Sequence, residues 1–284
     1  MFAVPALLGF ILWWVGPMLA SLGVAFTDWS LIRAPRWVGL ANFERMQADP
    51  LFWKSLWVTA YYTVVAVPLN LVASLFLALL LNQPVRGVGF FRSAFYLPVV
   101  LPAVATSIVW LFIFNPNFGL LNAFLESLGL PGQLWIWDEE LAVPSLWLMN
   151  LWFSGGGQML IFLAALQGVP RSLLDAATVD GAGWWARLRY VTVPMISPVI
   201  LFNFVTGLIG TFQIFAQGYL MTQGGPNNAT LFYVLYLYRQ AFQFGRMGYA
   251  AALAWVAFLI LVVLSMATFR FSSGRVYYEA RARE

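Results

Sequence analysis

Residues 56–81 read LWVTAYYTVVAVPLNLVASLFLALLL, a run without a charged side chain. An α-helix needs about 20 consecutive apolar residues to cross the hydrocarbon core of a bilayer. Hydrocarbon contains no water to pair backbone N–H and C=O groups, so a crossing stretch must pair them within a helix. This stretch therefore predicts a membrane-spanning helix, and it decides the fold class of the chain.

Five further windows of the same kind occur along the chain. They cover residues 2–26, 95–114, 143–166, 194–221 and 247–269. The first window has no basic start and is longer than the apolar part of a signal peptide, so we interpret it as a span. Prolines in or near the windows predict kinks, at Pro17, Pro68, Pro98, Pro102 and Pro198. The sequence predicts an all-α membrane protein with about six transmembrane helices, and a single transmembrane domain over residues 1–284.

The composition agrees with a bilayer as the solvent. Hydrophobic residues make up 62% of the chain and charged residues 9%, whereas a soluble domain is about half apolar and about a quarter charged. Aromatic residues reach 18%, which suits rings that anchor helix ends at the membrane interface. The net charge of +4 comes from basic residues scattered over short loops, so we expect a lipid bilayer and no nucleic acid as a partner.

The residue types that the chain lacks exclude several kinds of catalytic and metal-binding chemistry. The chain has no Cys and no His, so it lacks disulfides, thiolate nucleophiles and the commonest general base and metal ligand. Its single lysine, Lys54, does not follow the glycine-rich pattern of a phosphate-binding loop. We therefore predict no catalytic residue, no metal site and no cofactor bound by this chain. If ATP drives the protein, a separate subunit hydrolyses it.

The distribution of positive charge predicts the orientation. With both termini in the cytoplasm, the inner segments hold Arg86, Arg92, Arg171, Arg187, Arg189, Arg270, Arg275, Arg281 and Arg283. The outer segments, which are longer in total, hold Arg33, Arg36, Arg45, Lys54, Arg239 and Arg246. Cytoplasmic loops of membrane proteins carry an excess of Lys and Arg, so this distribution favours cytoplasmic termini.

Polar side chains within the windows are neutral amides and hydroxyls. A proton- or sodium-coupled carrier usually keeps charged groups at membrane depth, and the windows hold none. On the fourth window one helix face carries Asn150, Ser154 and Gly157, with Gln158 at its edge. On the fifth, a stripe carries Asn203, Thr206, Gly210, Gln213 and Gln217, with Thr211 at its border. Such residues can have two roles. They can let helices pack closely, or they can line a neutral path for an uncharged, hydroxyl-rich solute.

The segment between the fourth and fifth windows, residues 168–193, indicates two short helices around a glycine turn. Pro170 and Ser172 mark a helix start, and Asp175 follows Ser172 by three residues, which predicts an acidic capping box. Residues 173–179 would form the helix, Gly181 would end it in the left-handed conformation, and a second piece would begin at Trp184. The alternative is an amphipathic helix on the membrane surface, which would suit Trp184, Trp185 and Arg187.

Residues 175–194, DAATVDGAGWWARLRYVTVP, resemble the EAA loop of binding-protein-dependent ABC importer permeases. In that family the loop begins Glu-Ala-Ala, continues to Asp-Gly-Ala and ends near Leu-Pro. The matching positions are Ala176, Ala177, Asp180, Gly181, Ala182 and Pro194. The chain departs from the pattern at Asp175, where Glu is usual, and at Val193, where Leu is usual.

The resemblance covers nearly the whole chain, in an ordered series of motifs similar to the MalF-type sugar permeases. These are VGLANFERM (38–46), FFRSAFYLPVVLPAV (90–104), NFGLLNAFLESLGL (117–130), MTQGGPNNAT (221–230) and YRQAFQFGRMGYAAALAW (238–255).

This resemblance implies a type I importer permease of the MetI-like fold, in the bacterial cytoplasmic (inner) membrane, that moves a mono- or oligosaccharide by alternating access. It implies as partners a second homologous permease subunit, two ABC ATPase subunits that hold ATP and Mg, and an extracytoplasmic sugar-binding protein. Residues 168–193 would be the cytoplasmic coupling loop, seated on the ATPase through Asp175, Ala176, Ala177, Asp180 and Gly181. The family's sugar site implies solute contacts at Asn150, Trp152, Ser154, Gly157, Thr211 and Gln213.

Other functions fit parts of the same pattern. An ABC permease could instead move glycerol phosphate, a polyamine or an amino acid, although the uncharged spans argue against strongly ionic solutes. A secondary carrier or channel would move its solute as the purified chain alone. A membrane enzyme would need an acid or base, and the spans offer no His, Cys or carboxylate for that role.

Overall fold

The computed structural model describes residues 4–84 and 86–272, except for the side chain of Ser154. Within that part the elements are helices, joined by loops and by an isolated β-bridge between Thr27 and Trp37. Three helices are long and apolar enough to cross a membrane, and the number rises to 6 when each bent pair counts as one span. The predictions of an all-α membrane fold and of about six spans are confirmed.

We number the spans in chain order. Span 1 is Val4–Ala25, span 2 is Pro50–Leu81, span 4 is Ala142–Gln167 and span 6 is Met247–Ser272. Span 3 joins Val88–Val100 to Ala103–Ile113, and span 5 joins Trp184–Met195 to Ser197–Phe212. Spans 1 and 5 each contain a π-helical turn, Ile11–Val15 and Leu188–Thr192. The loops hold the short helices Ala41–Ala48, Leu120–Ser127, Trp135–Trp137, Arg171–Val179, Gly218–Thr222, Tyr233–Tyr238 and Arg239–Gln243.

The connections alternate between the two ends of the bundle. The short loop after span 2 and the helix Arg171–Val179 lie at one end, which we name the Arg171 end. The longer connections lie at the other, which we name the Asn122 end after a residue of the helix Leu120–Ser127. The region with the most loop structure is therefore opposite the helix that resembles a coupling element.

Span 3 corrects the prediction of a single kinked helix over residues 95–114. Its two helices turn by 101° at Leu101 and Pro102. Leu101 is extended, with φ −73° and ψ 137°, because the following proline ring disfavours the helical conformation of the residue before it. Pro102 also has no N–H to continue the ladder. The result is a corner near a right angle.

The predicted fifth window, residues 194–221, is also not one continuous helix. Trp184–Met195 meets Ser197–Phe212 at 68°, with Pro198 in the first turn of the second piece. The helix then ends at Phe212, and the short π-helix Gly218–Thr222 follows after a break. The polar spacing read from the sequence therefore does not continue along one helix beyond Phe212.

Span 4 approaches span 3 most closely at Gly156. A Cβ atom added there would lie 3.0 Å from the carbonyl carbon of Phe95 and 3.0 Å from the Cα of Tyr96, and closer still to the carbonyl oxygen of Phe95. The neighbouring Gly155 and Gly157 have far more room. The halves of span 4, Ala142–Phe153 and Gly155–Gln167, meet at 46° beside this contact.

Two apolar clusters hold the bundle together on either side of its middle. The larger one, toward the Asn122 end, includes Phe52, Tyr62, Trp110, Phe212 and Tyr233. The smaller one, toward the Arg171 end, includes Leu81, Leu163, Leu166 and Ile196. Lipid is as apolar as these side chains, so close packing rather than water exclusion stabilises their association.

Asp49 ties three elements together at the Asn122 end. Its carboxylate accepts from the backbone N–H of Leu51 at 2.9 Å and so caps span 2. It also accepts from the hydroxyl of Tyr236 and, at 3.3 Å, from that of Tyr249 on span 6. Burial, and then the hydrogen bond to Asp49, raise the pKa of Tyr236, so its phenol keeps the proton that it donates.

Candidate functional site

A cavity of about 530 Å³ lies among spans 2, 4 and 5. Its polar lining consists of Asn70, Asn150, Gln158, Thr206, Thr211, Gln213 and Gln217. Val67, Phe153, Ile214 and Phe215 supply apolar faces, and no charged residue of the described part lines it. Amides and hydroxyls beside apolar faces suit a molecule that is uncharged and rich in hydroxyl groups.

The break after span 5 brings two predicted pathway residues to this cavity. The helix ends at Phe212, where the backbone N–H of Gln213 still bonds to the carbonyl of Ile209 at 3.2 Å. The chain then turns, and Gln217 lines the same cavity from the next helical piece. Neither glutamine side chain has a hydrogen-bond partner among the described residues. Both amides can therefore offer donors and acceptors to a solute.

The two threonines of the lining are already bonded within their own helix. The hydroxyl of Thr206 donates to the carbonyl of Phe202 at 2.9 Å, and that of Thr211 donates to the carbonyl of Gly207 at 2.9 Å. A hydroxyl that has donated its hydrogen still has lone pairs. These side chains can therefore accept from a solute hydroxyl while their helix stays intact.

Asn70 on span 2 belongs to the cavity, and the sequence analysis missed it. Its amide nitrogen donates to the amide oxygen of Asn150 on span 4, so one polar pair links two spans. Asn70 is buried and also lines the cavity. The signal in the sequence is the single amide of residues 56–81, which shares a helix face with the hydroxyl of Ser74 four residues on.

The pair Asn70–Asn150 should stabilise the bundle measurably. We expect Asn70→Leu to lower stability by about 1–3 kcal/mol, the usual loss when one partner of a buried hydrogen bond is removed. The double variant Asn70→Leu/Asn150→Leu should lose less than the sum of the single variants, with a coupling of about 1 kcal/mol. Thermal unfolding of the four proteins in one detergent measures this, and strictly additive losses would contradict the link.

A second group of amides lies beside the cavity, between spans 4 and 5. The amide nitrogen of Gln158 reaches the backbone carbonyl of Asn203 at 3.5 Å. The side chain of Asn203 is 0% exposed, and within the described part of the chain neither of its amide atoms nor the amide oxygen of Gln158 has a hydrogen-bond partner. Gly207 makes room for this approach, since a Cβ there would lie 3.2 Å from the Gln158 nitrogen. Polar groups thus continue past the cavity wall.

Two other predicted pathway residues, Trp152 and Gly157, do not line the cavity. Trp152 packs edge-on against Trp110 with ring centroids 6.0 Å apart. Gly157 faces the side chain of Val99 on span 3, and a Cβ added at Gly157 would lie 3.7 Å from that side chain. The side chain of Ser154 lies outside the described part of the chain. Trp152 and Gly157 therefore serve helix packing in this conformation.

The helix that resembles a coupling element begins earlier than predicted. It covers Arg171–Val179, with Pro170 at the N-cap and no side chain bonded to the cap. The predicted capping box is wrong, because Ser172 lies inside the first turn rather than at the cap. The proline, with its fixed φ and no N–H, sets the start instead.

The end of this helix follows the predicted glycine stop. Gly181 has φ +80°, the left-handed conformation. The N–H of Ala182 bonds to the carbonyl of Ala177 at 2.9 Å, and the N–H of Gly181 bonds to that of Thr178 at 3.0 Å. These two bonds form a Schellman motif. The next helical piece begins at Trp184, as expected.

The outward face of the helix Arg171–Val179 is accessible. Asp175, Ala176, Asp180 and Gly181 are exposed and Ala177 is half-buried. The apolar side chains of Leu173 and Val179 are exposed as well. On the opposite side, Leu174 packs against the cluster at the Arg171 end, and a guanidinium nitrogen of Arg187 donates to the hydroxyl of Thr178 at 3.0 Å.

These features are typical of a membrane transport subunit. Spans that pack around a neutral cavity offer a path for a solute, and the described residues include no group of three or more His, Cys, Asp or Glu that could hold a metal. Residues 70–276 match the family "Binding-protein-dependent transport system inner membrane component". The chain belongs to this family of permease subunits, whose ATPase is a separate subunit.

Relatives match along almost the full length of the chain. "Probable ABC transporter permease protein YesP" of Bacillus subtilis (strain 168) is 41% identical over 99% of this chain and 92% of its own length. "Lactose transport system permease protein LacF" of Rhizobium radiobacter is 35% identical over 100% of this chain and 94% of its own length. The resemblance to ABC importer permeases is therefore confirmed.

A solved structure has the same fold. It is a chain from the crystal structure of a bacterial alginate ABC transporter in complex with an alginate pentasaccharide-bound periplasmic protein. The TM-score is 0.82 over 95% of this chain and 92% of that chain, at 21% sequence identity. Together with the family match, this likeness confirms the MetI-like permease fold and an ABC importer as the assembly.

Proposed function

We propose that this chain forms part of the translocation path for a mono- or oligosaccharide and works by alternating access. The observation that carries the proposal is the neutral lining of the cavity among spans 2, 4 and 5. Sugars present hydroxyl groups that both donate and accept, and the amides of Gln213 and Gln217 can do the same. The name of the relative LacF, a lactose permease, supports this solute class.

The proposed assembly supplies the energy from outside this chain. A second homologous permease subunit would complete the path, two ABC ATPase subunits would hold ATP and Mg, and an extracytoplasmic sugar-binding protein would deliver the solute. The exposed face of Arg171–Val179 supports docking of an ATPase through Asp175, Ala176, Ala177, Asp180 and Gly181. The Arg171 end and both termini would then face the cytoplasm, and residues 168–193 would form the coupling loop.

The mechanism follows from a bundle that lacks an energy source of its own. Movement of the ATPase would displace the helix Arg171–Val179, and the contacts of Leu174 and Arg187 would pass this movement to the spans. Rocking of the spans would open the cavity to one side and then to the other. Among the described residues, the amide oxygen of Gln158 and both amide atoms of Asn203 have no partner, and a passing hydroxyl group or a shifted helix could pair them.

Removal of one cavity amide tests the solute class and the path together. We expect Gln213→Leu to lower the maximal rate of sugar uptake by about 2- to 10-fold, because one hydrogen bond contributes about 0.5–1.5 kcal/mol. Solute affinity of the binding protein should not change. Uptake by the full complex in proteoliposomes, at saturating binding protein, measures the effect.

Gln167→Leu is the matched control for this test, since Gln167 is exposed at the Arg171 end of span 4 and outside the cavity lining. Equal rates for wild type and Gln213→Leu would contradict the proposed path. The alternative solute class is an anion, because the relatives include "sn-glycerol-3-phosphate transport system permease protein UgpA" of Yersinia enterocolitica. Uptake of glycerol phosphate without uptake of any neutral sugar would favour that alternative.

A further inference from the structure

The helix Trp184–Met195 lies at a steep angle to the span that follows it. Its axis is inclined by 68° to Ser197–Phe212. A span that crosses the bilayer runs close to the membrane normal, with an average tilt of about 20°. If Ser197–Phe212 follows the membrane normal, this angle places Trp184–Met195, the first half of span 5, nearer to the membrane plane than to the normal, at the Arg171 end. We name it the interfacial helix.

The exposed side chains of the interfacial helix are those that favour a membrane interface. Trp185 is 75% exposed and Tyr190 is 73% exposed, and Trp184 is exposed beside them. Tryptophan and tyrosine concentrate at the level of lipid headgroups, because their rings are apolar and their N–H or O–H is polar. An open cleft of about 510 Å³ runs along this face and is lined by Trp185, Leu188, Arg189, Tyr190 and Val193.

The charge of the cleft is positive and unbalanced. Between Trp184 and Met195 the charged residues are Arg187 and Arg189, and there is no acidic residue. The guanidinium of Arg189 lies 5.8 Å from the ring centroid of Tyr190, and no described carboxylate pairs with it. Arg187, by contrast, is bonded to Thr178 on the helix Arg171–Val179. A guanidinium that has no carboxylate partner suits a phosphate group.

We propose that the cleft at Arg189 binds the headgroup of an anionic phospholipid from the leaflet at the Arg171 end. Charge complementarity and the direct continuation of the interfacial helix into the apolar helix Ser197–Phe212 support lipid as the occupant. A bound headgroup would hold the interfacial helix in the plane of the membrane. Through Arg187 and Thr178 it would also steady the helix Arg171–Val179, so the lipid would act on the proposed coupling element. The position of this leaflet on the cytoplasmic side rests on the proposed function.

Direct lipid binding to the full chain tests this inference. Native mass spectrometry of the detergent-solubilised chain gives the apparent affinities for phosphatidylglycerol and for phosphatidylcholine. We expect a preference for phosphatidylglycerol in the wild type, and about fivefold weaker phosphatidylglycerol binding in Arg189→Gln, since one basic residue near an anionic surface contributes about 1 kcal/mol. Arg189→Lys should retain part of the preference, because lysine keeps the charge but not the planar stacking on Tyr190.

Arg33→Gln is the matched control, because it removes the same charge from an exposed residue at the Asn122 end. Equal phosphatidylglycerol binding by wild type and Arg189→Gln would overturn the proposal. A loss of ATPase binding in Arg189→Gln without any loss of lipid binding would also overturn it, since the face would then belong to the ATPase. Lipid binding is measured without solute or ATP, so failure of sugar uptake with intact lipid preference would count only against the proposed function.

Discussion

Gly156→Ala is expected to abolish the folded permease. The added Cβ would lie within contact distance of the backbone of Phe95 and Tyr96, at 3.0 Å or less. Overpacking a side chain into a core usually costs about 1–3 kcal/mol, and here the obstacle is backbone, which has no rotamer to change. Spans 3 and 4 would have to separate, next to the corner at Pro102. Gel filtration and thermal unfolding in detergent should show loss of the monodisperse, cooperatively unfolding protein.

The two neighbouring glycines provide the controls for this prediction. A Cβ at Gly155 would lie 4.0 Å from the hydroxyl of Ser74, and one at Gly157 would lie 3.7 Å from a methyl group of Val99. Both are ordinary contact distances, so Gly155→Ala and Gly157→Ala should remain folded. If all three alanine variants unfold alike, the helix is sensitive to substitution in general, and the contact with Phe95 does not explain the effect.

Gly181→Val is expected to abolish coupled transport while membrane insertion and folding stay intact. Gly181 has φ +80° and is exposed, with no atom within 4 Å of an added Cβ. The change therefore acts through the backbone, since the left-handed conformation costs an ordinary residue about 1–2 kcal/mol and a β-branched one more. The Schellman motif would open, and the end of the proposed ATPase-docking helix would rearrange. Sugar uptake and solute-stimulated ATP hydrolysis by the complex should both be lost.

Gly183 offers a control two residues away. It has φ −68° and ψ 174°, a region open to every residue, and an added Cβ would meet no atom within 4 Å. Gly183→Val adds the same bulk to the same turn and should retain more uptake than Gly181→Val. Gly181→Asn should also retain uptake, because asparagine tolerates the left-handed region. If Gly181→Val takes up sugar at the wild-type rate, the coupling role proposed for this turn is contradicted.

The candidate site was partly predictable from the sequence, and the reason differs between span 4 and span 5. On span 4 the helix bends by 46° but continues from Ala142 to Gln167, so Asn150 and Gln158 still reach a shared cavity. On span 5 the helix ends at Phe212, so Gln213 and Gln217 reach the cavity by a turn of the chain that the spacing does not contain. Asn70 is the single amide of residues 56–81, and its hydrogen bond to Asn150 on span 4 reveals its place at the cavity.

Without a structure, the amino-acid sequence already predicts about six membrane spans, six apolar windows free of charge, and a glycine stop after Val179. These properties are local, because hydropathy, composition and the backbone freedom of glycine depend on neighbours in the chain. The corner of span 3, the glycine that meets another backbone and the set of polar residues around the cavity became known from the folded arrangement of the spans. These features depend on contacts between spans that lie far apart in the sequence, because they arise from the packing of one helix against another.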